Sequence, residues 1–142
     1  MDYADLREAV WSAICTGVPQ IWDTSSPPKC KCFWGWTAPA DTPKPFVVMN
    51  FAGELAPASG NPCGLFMQVD VEVYGEEANI MAIDPIADLV VSILHQVPIT
   101  TPAGRIIYLK YARDARFDAW SETMRASIVR LKFLLASDFW TT

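Results

Sequence analysis

The sequence predicts an α+β fold: a mainly antiparallel sheet of about four strands, an N-terminal helix and a second helix packed on one face, and a long Pro/Trp-rich loop. Three observations predict it. Leu65–Tyr74, LFMQVDVEVY, alternates strictly, with Met67, Val69, Val71 and Val73 on one side and Gln68, Asp70 and Glu72 on the other. That period of two marks a strand that is apolar toward a core and wet behind. Two stretches carry apolar residues at helical spacing. The remaining strand-like stretches come in pairs that adjoin in sequence, which favours antiparallel pairing.

Taken in order, Asp2–Cys15 is expected as a short amphipathic helix with Leu6, Ala9, Val10, Ala13 and Ile14 on its stripe and Asp5, Arg7, Glu8 and Ser12 off it. Asp2 is the expected N-cap, Asp5 adds acidic charge at the positive end of the helix dipole, and Gly17 with Pro19 closes the element. Pro19, Pro27, Pro28, Pro39, Pro43 and Pro45 then exclude regular helix and a central strand. A short strand over Lys31–Trp36 fits CKCFWGW. The rest of residues 19–45 is a long excursion whose Trp22, Trp34 and Trp36 need a surface to cover them.

Phe46–Phe51 is the second strand, joined to Leu65–Tyr74 through the turn-rich GELAPASGNPCG. A helix follows over about Asp84–Gln96, with Asp84 as N-cap and Pro85 at the first position, or with a start nearer Asn79. Its stripe is Ile86, Leu89, Val90, Ile93 and Leu94, and Pro98 ends it. Gly104–Ala112 and Met124–Leu135 are the last strands. In the first, Ile107, Leu109 and Tyr111 share a face; in the second, Ser127, Val129, Leu131, Phe133 and Leu135 point in and Arg130 and Lys132 out. RDARFDAWSE between them reads as a charged connection.

Composition narrows the function. With 142 residues, 51% apolar and 19% charged, the chain is expected to be one ordered domain over 1–142. Six Trp and seven Phe exceed what a core needs and point to an oligomer or assembly part. Residues 1–100 hold four basic and twelve acidic groups (−8) and residues 101–142 seven and four (+3), a polarity suited to a surface that meets one of opposite sign. There is no basic cluster with interleaved aromatics for nucleic acid. No apolar run reaches the roughly 18 residues of a membrane span, and the acidic N-terminus lacks a signal peptide's basic start. A soluble protein of the cytoplasm is expected, with Cys15, Cys30, Cys32 and Cys63 as reduced thiols.

Chemistry is sparse. Cys30, Cys32, Cys63 and His95 could supply four zinc ligands, as a metal-binding regulator would use, but their spacing is not that of the usual zinc pairs. With one histidine and no nucleophile-elbow, P-loop, dinucleotide or zinc-protease motif, no enzyme is expected, and no cofactor or metal. The carboxylate pairs Asp70/Glu72 and Glu76/Glu77 fall on a strand face and a turn, where solvated charge is the default.

The series N-terminal helix, PFVVMNFAGE, GLFMQVDVEVYG, IADLVVSIL and ASIVRLKF resembles the tail terminator (tail completion) proteins of long-tailed bacteriophages. The resemblance runs from Asp2 to about Leu135 and is weakest over Asp23–Pro43. It implies a structural virion protein, assembled in the host cytoplasm, that forms a homohexameric ring on the tail tube at the head–tail interface. Such a ring halts tube polymerisation, offers the head a docking surface and lets DNA pass without specific binding. Its partners would be further copies of itself, the tail tube protein and a head–tail connector or stopper protein, with no membrane. It further implies that Asp70 and Glu72 line the lumen. Trp22, Phe33, Trp34 and Trp36 would sit between rings, and Arg125, Arg130 and Lys132 at subunit contacts. The stretch Ser25–Pro45 is longer than is usual in that family, which keeps a head–tail connector ring as the second reading.

Overall fold

The computed structural model describes residues 3–35, 42–55, 66–76, 80–112, 116–122 and 125–136. Its fold is α+β, as expected. Helix α1 covers Tyr3–Gly17 and α2 Asp84–Leu94, each close to its predicted span. The strands are β1 (Cys32–Trp34), β2 (Phe46–Leu55), β3 (Phe66–Gly75), β4 (Ile99–Thr100), β5 (Ile106–Ile107), β6 (Leu109–Tyr111), β7 (Phe117–Ser121) and β8 (Ala126–Ala136).

The sheet is larger than four strands and not wholly antiparallel. Its order is β1-β2-β3-β8-β6, with β7 also on β8, and β4 and β5 form a separate two-stranded ribbon. Pairing is antiparallel except between β1 and β2, which run parallel with Cys32 opposite Val47. Strands of two to five residues are too short for a period of two to declare itself, which is why β4 and β7 escaped the sequence reading. Gly104–Ala112 is split at Tyr108 into β5 and β6, which join different sheets. The charged connection contains β7. Beside β6, it continues along the same edge of β8: Tyr111 faces Phe133, and Phe117 faces Arg130.

The alternation predicts the core correctly. Met67, Val69, Val71 and Val73 are at most 1% exposed, and they meet Val47, Met49, Val129, Leu131, Phe133 and Leu135 on the same face. Both helices cover that face through Leu6, Val10, Ile14, Ile86, Val90 and Leu94. Each such side chain, fully buried, contributes roughly 1.5–3 kcal/mol. Two helical details differ. Asp5, expected off the stripe, is buried, and its carboxylate accepts the Ala103 N–H at 2.9 Å. Ile83, not Asp84, is the N-cap of α2, since Asp84 turns its carboxylate to Arg116. The expected N-cap Asp2, the hairpin tip 56–65, and Trp36, Cys63, Glu77 and Met124 lie outside the described residues.

The largest departure is the other face of the sheet. Phe46, Val48, Tyr74, Ala126 and Ile128 form a second buried cluster there, with Phe33 and Ala119 packed against it. A face read as wet from β3 alone is apolar at one end, because β2 and β8 bring their own apolar residues into the same cross-strand rows.

Cys15 and Cys30 are bonded to each other, which corrects the expectation of reduced thiols for these two. The last turn of α1 and the lead-in to β1 lie side by side there, with Cα atoms 5.9 Å apart, within the span a disulfide needs. Cys32 is free and buried.

Candidate assembly interface

The candidate site residues fall in two regions. The first is the second face of the sheet, where register decides which charges meet. Asp70 lies opposite Lys132, and Glu72 opposite Arg130, in adjacent rows of the β3–β8 ladder. The Glu72 row continues to Val48 on β2, and the Asp70 row to Asn50. Opposite charges facing across strands stabilise a sheet, so the acidic and basic strands select each other within one chain.

The two carboxylates have different surroundings. Glu72 is only 3% exposed, between the Val48 and Tyr74 ends of the second cluster, and Arg130 Nη2 donates to its Oε2 at 3.1 Å. In a single chain Glu72 is therefore withdrawn from solvent and spent on its neighbour. Asp70 is half-buried and accepts from Gln68 Nε2 at 2.9 Å. Tyr74 stacks on Phe46 with ring centroids 4.7 Å apart, and burial, helped by the Glu72 charge, pushes its hydroxyl up to about 12. Lys132 is half-buried, and Arg125 is exposed at the β7–β8 turn with φ 50°.

The second region is the aromatic belt of α1 and β1. Trp22 Nε1 donates to the Cys15 carbonyl at 2.7 Å and Trp34 Nε1 to the Arg7 carbonyl at 3.1 Å. Trp34 packs on Phe51 at 4.9 Å, while the Arg7 guanidinium sits 5.4 Å from the Trp34 ring and 5.0 Å from Phe51. An amphipathic indole that anchors its N–H and leaves part of its ring in water suits both a loop strut and a contact surface. Trp22 keeps 38% of its surface exposed, and Phe33 and Trp34 are half-buried. An open cleft lined by Ala4, Arg7, Glu8, Trp11 and Trp34 runs beside them.

Sequence reasoning missed four members. Trp11 donates to the Cys32 carbonyl at 3.0 Å, and Arg7 caps the aromatic pair. Trp120 is 48% and Met81 78% exposed, at the end of the sheet where Ile83 lies over Gly75. The signal available in the sequence was two further tryptophans, Trp11 and Trp120, that no motif absorbs.

Of the four residues considered for zinc, Cys63 lies outside the described residues and the other three do not converge. Cys30 is spent in the disulfide, and His95 Nδ1 accepts the Tyr111 backbone N–H at 3.0 Å. Cys32 faces Met49 sulfur at 4.0 Å, and burial pushes its thiol up to about 12, far from the thiolate a nucleophile or ligand requires. Among the described residues no three His, Cys, Asp or Glu side chains gather as metal ligands would, and no helix is long and apolar enough to cross a membrane.

No protein-family model matches the chain, and no curated protein does. Among solved structures, the fold is similar to that of a chain from the virion of a native gene transfer agent (GTA) particle. The TM-score is 0.63 at 16% identity, over 94% of this chain and 95% of that one. A match over nearly the whole of both chains at so low an identity is a shared fold.

Proposed function

We propose that the chain is a structural virion subunit of the tail-terminator type. Copies of it close into a ring, six to the turn, that caps the tail tube, stops its polymerisation and gives the head a docking surface. The observation that carries this reading is the chain-long fold likeness to a chain of a virion particle, which agrees with the resemblance read from the sequence. The aromatic belt supports it too. Half-exposed Trp, Phe and Arg side chains held on rigid elements are what interface hot spots are made of. In this reading Trp22, Phe33, Trp34 and Trp36 contact the neighbouring ring, Arg125 and Lys132 the next subunit, and Asp70 faces the lumen. Arg130 and Glu72 serve those surfaces indirectly, by holding β3 to β8. No catalytic step and no cofactor enters.

A head–tail connector ring is the second reading, favoured by the length of the Ser25–Pro45 excursion. Light scattering after gel filtration is the first test: a ring has a mass of about six times 15.8 kDa. Mixed with growing tail tubes, a terminator halts elongation and stays on the tube end, whereas a connector leaves tube growth unchanged and binds the head. A monomer that neither arrests tubes nor binds heads would end both readings.

A further inference from the structure

The segment between α1 and β1 is folded back on itself, and its contacts converge on one covalent bond. Cys15 and Cys30, separated by 15 positions, are joined at its base. Trp22 and Cys30 form an antiparallel bridge, Trp22 Nε1 donates to the Cys15 carbonyl at 2.7 Å, and Lys31 N donates to the Ile21 carbonyl at 2.9 Å. Asp23 organises the tip. Its carboxylate accepts from Lys29 N at 2.7 Å and from Ser25 Oγ and N at 2.6 and 3.1 Å, and the Ser25 hydroxyl first, then Lys29 N–H, hold it below the usual carboxylate range.

The core does not hold this tip. Val18 and Ile21 are buried, but residues 24–29 are all exposed. What fastens residues 22–30 is a set of hydrogen bonds, solvent-facing around Asp23 and part-buried at Trp22 Nε1, and one disulfide at Cys30, which packs on the edge of the core. The solvent-facing bonds open locally at low cost, so the covalent bond sets the loop's stability. Cys30 is half-buried and the more exposed of the two residues, Cys15 being 5% exposed, so the attack is assigned to Cys30. The nearby Cys32 is sealed at 4% exposure against Met49, and so kept from competing for Cys30.

We propose that Cys15–Cys30 is a redox-controlled clasp that sets whether the loop 22–30, and Trp22 with it, is pinned to the end of α1. A low-molecular-weight thiol of the glutathione class opens it. Its thiolate attacks Cys30 sulfur, a mixed disulfide forms and Cys15 leaves as thiolate. A second small thiolate then attacks the mixed disulfide, releasing the Cys30 thiolate and one small-molecule disulfide. Closing is the reverse, with that disulfide as oxidant. The core of α1, β2, β3 and β8 is untouched by either step. The clasp is independent of the assembly reading.

The test equilibrates the full chain in glutathione buffers from reduced to oxidised. Native alkylation with peptide mapping and amide hydrogen exchange are then read on each sample. In oxidised buffer Cys15 and Cys30 are recovered as a linked pair. In reduced buffer both alkylate, Cys32 alkylates only after denaturation, and the Lys29 and Lys31 amides exchange at least about tenfold faster. The Val71 and Leu131 amides do not change. The Cys15→Ser/Cys30→Ser variant matches the reduced protein in every buffer. The proposal is overturned by free Cys15 and Cys30 in the oxidised protein, by a Cys30–Cys32 pair, or by loop exchange that ignores the buffer. Loss of β3 and β8 protection on reduction also overturns it, since the bond would then be a staple of the whole fold.

Discussion

Glu72 shows how much one register position decides. Its neighbours in sequence, Asp70 and Gln68, share its face, yet Glu72 alone is driven under the surface, by Val48 and Tyr74 beside it, and is paired there with Arg130 opposite. Breaking such a pair from one side strands the buried charge. Arg130→Ala is therefore expected to lower unfolding free energy by about 2 kcal/mol in urea titration. That is less than for a wholly buried pair, since the Arg130 side chain is 32% exposed. Cys32 and Tyr74 predict an alkaline limit. Burial raises both to about 12, above the unfolded values of 9.0 and 10.0, so the unfolded chain loses these protons first. Their contribution is complete below the thiol's ordinary 9.0 and is lost as pH climbs toward 12, so stability measured against pH should hold level and then fall above 9. A tyrosinate absorbance titration checks the assignment: the native protein shows an ionisation step near pH 12 that Tyr74→Phe removes.

Elements are positioned by close approaches that no periodicity reveals. Gly75 ends β3 under Ile83, and a Cβ there would collide with the Ile83 side chain. Gly75→Ala should therefore push the start of α2 off the sheet, at about 1–3 kcal/mol in thermal or urea unfolding, although alanine is a mild change elsewhere. Edge protection is the second device. The free side of β6 is covered by residues 95 and 96: Gln96 N donates to the Leu109 carbonyl at 2.7 Å, and His95 Nδ1 accepts from Tyr111 N at 3.0 Å. The imidazole thus takes the place of a strand carbonyl, which fixes its proton on Nε2. His95→Ala leaves the Tyr111 N–H without that acceptor. We expect a loss of about 1–2 kcal/mol and faster hydrogen exchange at Tyr111, with the exchange of Val71 on β3 unaffected.

At the scale of the molecule, the sheet is buried on one face by both helices and on the other by a smaller aromatic cluster. This leaves the polar end of the second face, around Asn50, Asp70 and Lys132, as its wet part. The charge asymmetry of the sequence is partly consumed inside the chain, where the acidic β3 lies beside the basic β8. Of the two β3 carboxylates, Asp70 is the one that remains at the surface, opposite the half-buried Lys132. Asp70→Asn should leave thermal stability within about 0.5 kcal/mol and the particle mass unchanged. If Asp70 faces the lumen of a ring, the variant alters DNA passage alone, and unchanged passage removes it from that role.

The sequence by itself determined the α+β class, the two helices, the long strands and the part of the main core that β3, β8 and the helix stripes supply, because those elements carry strong periodic patterns. It also marked Asp70, Glu72, Arg130 and Lys132 as charges of a common strand face. Tertiary structure decided what local pattern cannot encode. It chose the register that sets Glu72 against Arg130, it paired the expected short strand β1 in parallel with β2, and it built β4 and β7 from stretches too short or too charged to announce themselves. It also brought Cys15 beside Cys30 across a Pro-rich loop. Each of these depends on which distant residues come together, and pairing across distance is a property of the packed chain rather than of any window within it.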